Sequence, residues 1–191
     1  MSFLKQTLII GIVMLFMHAV HAYEIATHGN LSELAYDQSG LKKDAWLLQN
    51  LGLKDSDLFP DAIRSRSRTV KELLADGSRF EDGLKSDCET RPQHHFYDPA
   101  RDQGLRWLTV SGEKSPDWAL EDIKDNDKQD FSYKDARYYL YRALTATTEE
   151  DRNKYFGLTF QTLGHVIHHP QDMAQPQHVR NDTHIMAGED C

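Results

Sequence analysis

Five of the ten histidines in this chain lie between His165 and His184, in the stretch LGHVIHHPQDMAQPQHVRNDTH. Within it, His168, Asp172 and His178 form an H-x3-D-x5-H pattern. An H-x3-D step on a helix puts imidazole and carboxylate one turn apart on one face, and both are zinc ligands. So dense a cluster, with an aspartate inside it, points to metal-dependent hydrolysis rather than to packing.

Three more segments carry ligand-type residues: Tyr23-Glu24-Ile25-Ala26-Thr27-His28, Glu81-Asp82, and His94-His95-Phe96-Tyr97-Asp98-Pro99. Each alone has a plain structural explanation. His28 could cap a helix, Asp82 could sit in a turn, and His94 or His95 could lie on the surface. Cys88 and Cys191 lack the spacing of a thiolate zinc site, so any zinc falls to His and Asp. An exported chain could pair the two cysteines, although one widely separated pair is weak evidence.

The elements that must position these residues read as helices, and strand signals are nearly absent. Leu31, Leu34 and Ala35 predict a helix from Thr27 to Gln38. Trp46, Leu47 and Leu51 predict a second, closed by Gly52, and Val70, Leu73 and Leu74 a third, ended by Gly77. Residues Phe80 to Arg106 read as structured loop. Ser115-Pro116-Asp117 opens a helix carrying Trp118, Leu120 and Ile123. Ser132 caps the next, with Ala136, Tyr139, Leu140 and Ala143 on one face. Thr147 and Glu150 form a capping-box start for the longest helix, which reaches the histidine cluster. Tyr138, Tyr139, Tyr141, Tyr155 and Phe156 read as core and interhelical packing. The expected fold is all-α, a single helical domain over residues 23–191 with a polar centre.

Residues 1–22 read as a secretory signal. Lys5 supplies the positive region, Leu8 to Phe16 the apolar run, and Val20-His21-Ala22 the small residues before cleavage. A membrane anchor is the competing explanation, but the run is short for a span and no basic cluster follows it. The expected location is therefore secreted or periplasmic, with no transmembrane span in the mature form. The formal net charge of −8 argues against a general polyanion binder. It leaves a phosphate-ester substrate open, because bound zinc would invert the local field.

Taken in order, Thr27-His28, Glu81-Asp82, His95-Phe96-Tyr97-Asp98-Pro99, Ser115-Pro116-Asp117-Trp118 and Leu163-Gly164-His165 through His178 resemble the zinc-dependent phospholipases C and single-strand-specific zinc nucleases. Those two groups share one α-helical fold and bind three zinc ions. The resemblance implies that Asp82, His95, His168 and Asp172 hold one zinc. Asp172 would bridge to a second, completed by His28 and by the amino group and carbonyl oxygen of Tyr23. The family usually has Trp at that N-terminal position, a mild departure because the ligands are backbone atoms. Export would then also be activation, since the amine is exposed only when the leader is removed.

His178 matches a ligand of the third zinc, whose expected partners are a His and an acidic residue one turn apart further on. His184 is followed by Gly188 at the fourth position and Glu189 one place later. The expectation is a C-terminally truncated chain; the alternative is a third site lost or improvised from His184 and Glu189. Pro170, between His168 and Asp172, is a second departure, read as a tolerated kink rather than a helix end. His165 and His169 are also one turn apart, and read as support or packing rather than as an alternative zinc pair. His94 reads as a neighbour of the ligand His95, while Asp98 could orient an imidazole or cap the loop.

The resemblance implies in-line attack of hydroxide on phosphorus, with hydroxide made available near neutral pH by two bridged zincs. Asp82 would accept a proton as the nucleophile forms. The substrate would be a phospholipid or a nucleic-acid phosphodiester, with no stable protein partner implied. HFYDP leans toward the phospholipases, and the short gap from Tyr23 to His28 toward the nucleases. A catalytically weak zinc-binding relative and a purely structural helical module are the rival classes.

Overall fold

Two helices can bury a continuous surface, and their contact organises the molecule, described in this computed structural model for residues 25–44, 46–83, 91–120 and 129–182. In chain order the elements are α1 (Ile25–Gln38), α2 (Gly40–Lys43), α3 (Trp46–Asn50), β1 (Phe59–Pro60), β2 (Ser67–Arg68) and α4 (Val70–Gly83). A 3-10 turn at Arg91–His94 follows, then β3 (Arg106–Trp107), β4 (Val110–Ser111) and α5 (Ser115–Leu120). The chain continues with α6 (Tyr133–Thr145), α7 (Glu149–Asp172) and α8 (Pro176–Arg180). The result is a mainly helical single domain, with β1–β2 and β3–β4 as two short antiparallel ladders. Among the described residues no helix is long and apolar enough to cross a membrane. The leader, Tyr23, Ile123, His184, Glu189 and both cysteines lie outside the described residues.

Local signals start the helices. At α4, Glu72 Oε2 accepts from the Thr69 backbone N–H at 2.9 Å, and Thr69 Oγ1 accepts from the Glu72 N–H at 3.3 Å. Ser132 caps α6 with a full capping box to Asp135, as the sequence suggests. The cap of α7 is Thr148, not Thr147, and its Oγ1 accepts from the Asp151 N–H at 3.1 Å. Both threonines precede acids at the right spacing, so only the backbone path chooses between them. Gly52, at φ 73°, does follow α3, and the Leu53 N–H returns to the Leu48 carbonyl.

The core comprises Tyr36, Leu48, Leu53, Phe59, Val70, Leu73, Leu74, Ala143, Phe156 and Phe160. It gathers around the N-terminal half of α4 and the middle of α7. Toward the C-terminal ends of both helices, apolar contacts give way to polar ones. Tyr138 and Tyr141 face outward, at 51% and 63% exposure, because α6 packs through Ala136 and Ala143 instead. On α1 the apolar face is not the inner one. His28, Gly29, Ser32 and Tyr36 are buried while Leu34 is 57% exposed, since α1 covers a polar centre.

Gly77 does not end α4, which continues to Gly83. A Cβ on Gly77 would stand 2.0 Å from the Gln161 carbonyl oxygen, and one on Gly164 2.3 Å from the Leu74 carbonyl oxygen. Glycine here lets two helix backbones touch rather than breaking one of them. The extension makes Phe80–Gly83 helix, where loop was expected. Gly164→Ala should therefore destabilise the fold by about 1–3 kcal/mol, despite alanine's better helix propensity. Urea denaturation of the variant measures this, and an unchanged midpoint would show that the helices can part freely.

Candidate metal centre

Five elements deliver six of the seven residues singled out as ligands to one buried region. The His28 side chain comes from α1, Asp82 from α4, His95 from the turn after Arg91–His94, and His168 and Asp172 from α7. His178, on α8, is buried beside them. Tyr23 lies outside the described residues.

Two groups of three could each hold an ion: His28, His168 and Asp172, and Asp82, His95 and His168. In each group the ligand atoms lie within 4.8 Å of one another. The Asp172 carboxylate divides its oxygens, Oδ1 standing 3.4 Å from His28 Nε2 while Oδ2 is 2.9 Å from His168 Nε2 and 3.3 Å from His95 Nδ1. Asp82 divides likewise, with Oδ1 3.1 Å from His95 Nδ1 and Oδ2 3.7 Å from His28 Nε2. A tetrahedral ion with ligand bonds of about 2.0–2.1 Å has edges of about 3.3 Å, so these spacings fit a metal. His178 belongs to neither group, although its Nδ1 is 3.5 Å from Asp172 Oδ2.

The imidazoles are held from behind. His28 Nδ1 donates to Gln171 Oε1 at 2.8 Å, His168 Nδ1 to the Ser78 carbonyl at 2.9 Å, and His178 Nδ1 to the His95 carbonyl at 2.9 Å. For His28 and His168 the bond fixes the proton on Nδ1 and turns Nε2 toward the aspartates, the arrangement metal-binding histidines require. Gln171 is itself anchored, donating to Ser32 Oγ and accepting from Ser78 Oγ. Nothing in the spacing of Gln171 or Ser78 marks them in advance.

Pro170 stays within α7, and the His168–Asp172 pair keeps its one-turn register across it. Proline forfeits one backbone bond there, but the following turn still closes, with the Met173 N–H reaching the His169 carbonyl. His165 and His169 turn to Glu81 instead of the cluster, at 2.7 and 3.4 Å. Ring stacking on Trp118 and the Glu113 N–H hold His94, leaving His95 to face the aspartates. Asp98 caps its loop, accepting from the Ala100 and Arg101 N–H groups. Sequence reasoning missed Glu81 and Arg91 as site-supporting residues; only the carboxylate beside Asp82 hinted at the first.

Electrostatics of the metal-free chain follow from burial and these contacts. Burial favours neutral forms of Asp82 and Asp172, yet the charge of His168 and hydrogen bonds from neighbouring imidazoles hold both below the usual carboxylate range. Burial opposes a charge on His95, but Asp82, Glu81 and Asp172 overcome it and push the imidazole up to about 10. His168 also rises against burial, drawn by Asp172 and Asp82. Protons on these two rings occupy the role a cation would take.

No family model, curated protein or solved structure compared with this chain matches it. What is established is a mainly helical domain with buried His/Asp groups that could bind metal.

The pKa pattern sets a pH optimum for the metal-free fold. Burial lowers His165 to about 4 against the pull of Glu81, and His28 and His94 also fall to about 4, burial again leading. From their ordinary value of 6.5 down to 4 the unfolded chain takes up protons that these folded rings refuse, so stability falls with pH. His95 has the opposite sign: its contribution is complete below 6.5 and is lost as pH rises through about 10. Urea unfolding of metal-free protein from pH 4 to 10 should show greatest stability near pH 6.5, and His165→Gln should flatten the acid limb. Stability rising steadily toward pH 10 would contradict these assignments.

Proposed function

We propose that this chain is an exported zinc-dependent phosphoric-ester hydrolase, phospholipase C-like in substrate and in helical fold. The observation that carries the proposal is the divided Asp172 carboxylate, whose oxygens serve different imidazoles on either side. Asp82, His95, His168 and Asp172 would hold one zinc, and Asp172 with His28 a second. The amino group and carbonyl of Tyr23 would complete the second site after removal of residues 1–22. His178 is proposed as a ligand of a third, outlying zinc.

Bound zinc supplies Lewis acidity toward phosphoryl oxygens and lowers the pKa of water in contact with it. The chain's own residues do the rest. His28 and His168 are held in place by their outer hydrogen bonds, so little reorganisation would accompany charge development. Asp82, at 7% exposure the most accessible of the six described residues, would accept the proton released as the nucleophile forms. Burial of the other ligands limits competing water. The net charge of −8 favours a phospholipid over a nucleic acid as the source of the phosphodiester.

Metal analysis of the signal-free protein is expected to return at least two zincs per chain. His168→Ala, which removes the residue common to both groups, should reduce phosphodiesterase turnover by more than about a hundredfold while far-ultraviolet circular dichroism is kept. Losses of about ten- to a hundredfold are already usual for partners one shell further out. Unchanged turnover in that variant, or a metal-free protein that is fully active, would refute the assignment. Assay of phosphatidylcholine against single-stranded DNA separates phospholipase from nuclease.

A further inference from the structure

Glu81 is fully buried one residue before Asp82, and the chemistry above leaves it without a task. Its carboxylate faces five donors. Oε2 accepts from Arg91 Nη2 at 2.6 Å and His165 Nδ1 at 2.7 Å. Oε1 accepts from Trp118 Nε1 at 3.1 Å and faces His169 Nε2 at 3.4 Å and His95 Nε2 at 3.6 Å. A carboxylate offers about four lone-pair directions, so the group is saturated. Its charge is balanced by Arg91, which is 1% exposed, lies over the Trp118 and Phe131 rings and donates to Gln129. A carboxylate so neutralised by a fixed guanidinium is closed to a metal ion of its own.

His95 shows what the saturated carboxylate is for. Its Nδ1 faces Asp82, Asp172 and His168, whereas His28 and His168 turn Nε2 to the aspartates. Its Nε2 is buried without a hydrogen bond among the described residues, and Glu81 Oε1 is the acceptor it faces. At 3.6 Å the contact is electrostatic rather than a hydrogen bond, and the buried carboxylate favours an N–H on this side of the ring.

We infer that Glu81 is a positioning residue of the metal centre: clamped by Arg91 and Trp118, it holds the proton of His95 on Nε2 and thereby presents Nδ1 to the metal. The inference rests on the zinc assignment above for its purpose, but not for its test. Glu81 would act through His95 without touching substrate or ion. His165, which meets the same carboxylate without touching His95, provides the control.

The test compares the full chain with Glu81→Gln and His165→Gln, using zinc alone as the probe in competition with a chelator. Glu81→Gln should weaken zinc binding by about ten- to a hundredfold with circular dichroism retained, the range seen when a ligand's orienting partner is lost. It should also change the visible spectrum of the cobalt-substituted protein. His165→Gln should leave zinc affinity within about threefold. Equal losses in both variants, or none in Glu81→Gln, would overturn the inference. Nitrogen-15 resonance of the His95 ring supplies a readout independent of metal: the Nε2–H proton, buried beside Glu81, should be resolved in the metal-free wild type and change its shift in Glu81→Gln. If the wild type binds no zinc, the functional assignment fails while this proton still decides the role of Glu81. If Glu81→Gln does not fold, the wild-type resonance alone decides, and an Nε2 that carries no proton overturns the inference.

Discussion

Asp82 and Asp172 lie 7% and 2% exposed within a cage of imidazoles, and two carboxylate charges at that depth must find positive charge within bonding distance. That requirement shapes everything around them. In the metal-free chain the His95 ring meets it by holding its proton up to about 10, and the His168 ring is also raised above its ordinary value. A divalent cation could also meet it, because one ion can contact several oxygens and nitrogens at once. The spacings between ligand atoms suit that solution.

Such a cage survives only if its walls do not move. The backbone contact at Gly77 and Gly164 draws α4 and α7 together, so Asp82 meets His168 and Asp172. The outer nitrogens of His28, His168 and His178 are then tied to an amide side chain or a backbone carbonyl. The Glu81–Arg91 pair closes the side behind His95. Buried ion pairs contribute little net stability when compared with apolar packing, so this one is better understood as a determinant of geometry. The polar demand also explains α1, which turns His28 and Ser32 inward and leaves Leu34 in solvent.

Much of the helical scaffold was legible in the chain itself. Periodicity at Val70, Leu73 and Leu74, the Ser132 cap and the H-x3-D step all act over one or two turns, where backbone geometry leaves few alternatives. Errors arose where one residue type serves two purposes. Glycine commonly ends helices, yet at Gly77 it permits a close crossing whose partner is far along the sequence. Tyr138 and Tyr141 share helical spacing with Tyr139, but small alanines supply the contact face and leave them outside.

The sequence by itself marked which residues could bind a metal and the long helix that carries His168 and Asp172, because ligand chemistry and helical period are local properties; it placed Asp82 in a loop. It marked His28, Asp82, His95, His168, Asp172 and His178 without being able to measure one distance between them. Only the tertiary structure decided that His165 and His169 face Glu81 rather than the aspartates, that Gln171 and Ser78 hold the rings of His28 and His168, and that His95 turns Nδ1 to Asp82. Those choices depend on the crossing of α4 and α7 and on the chain that closes over them. A ring nitrogen takes its role from whatever acceptor lies behind it, and that acceptor sits tens of residues away.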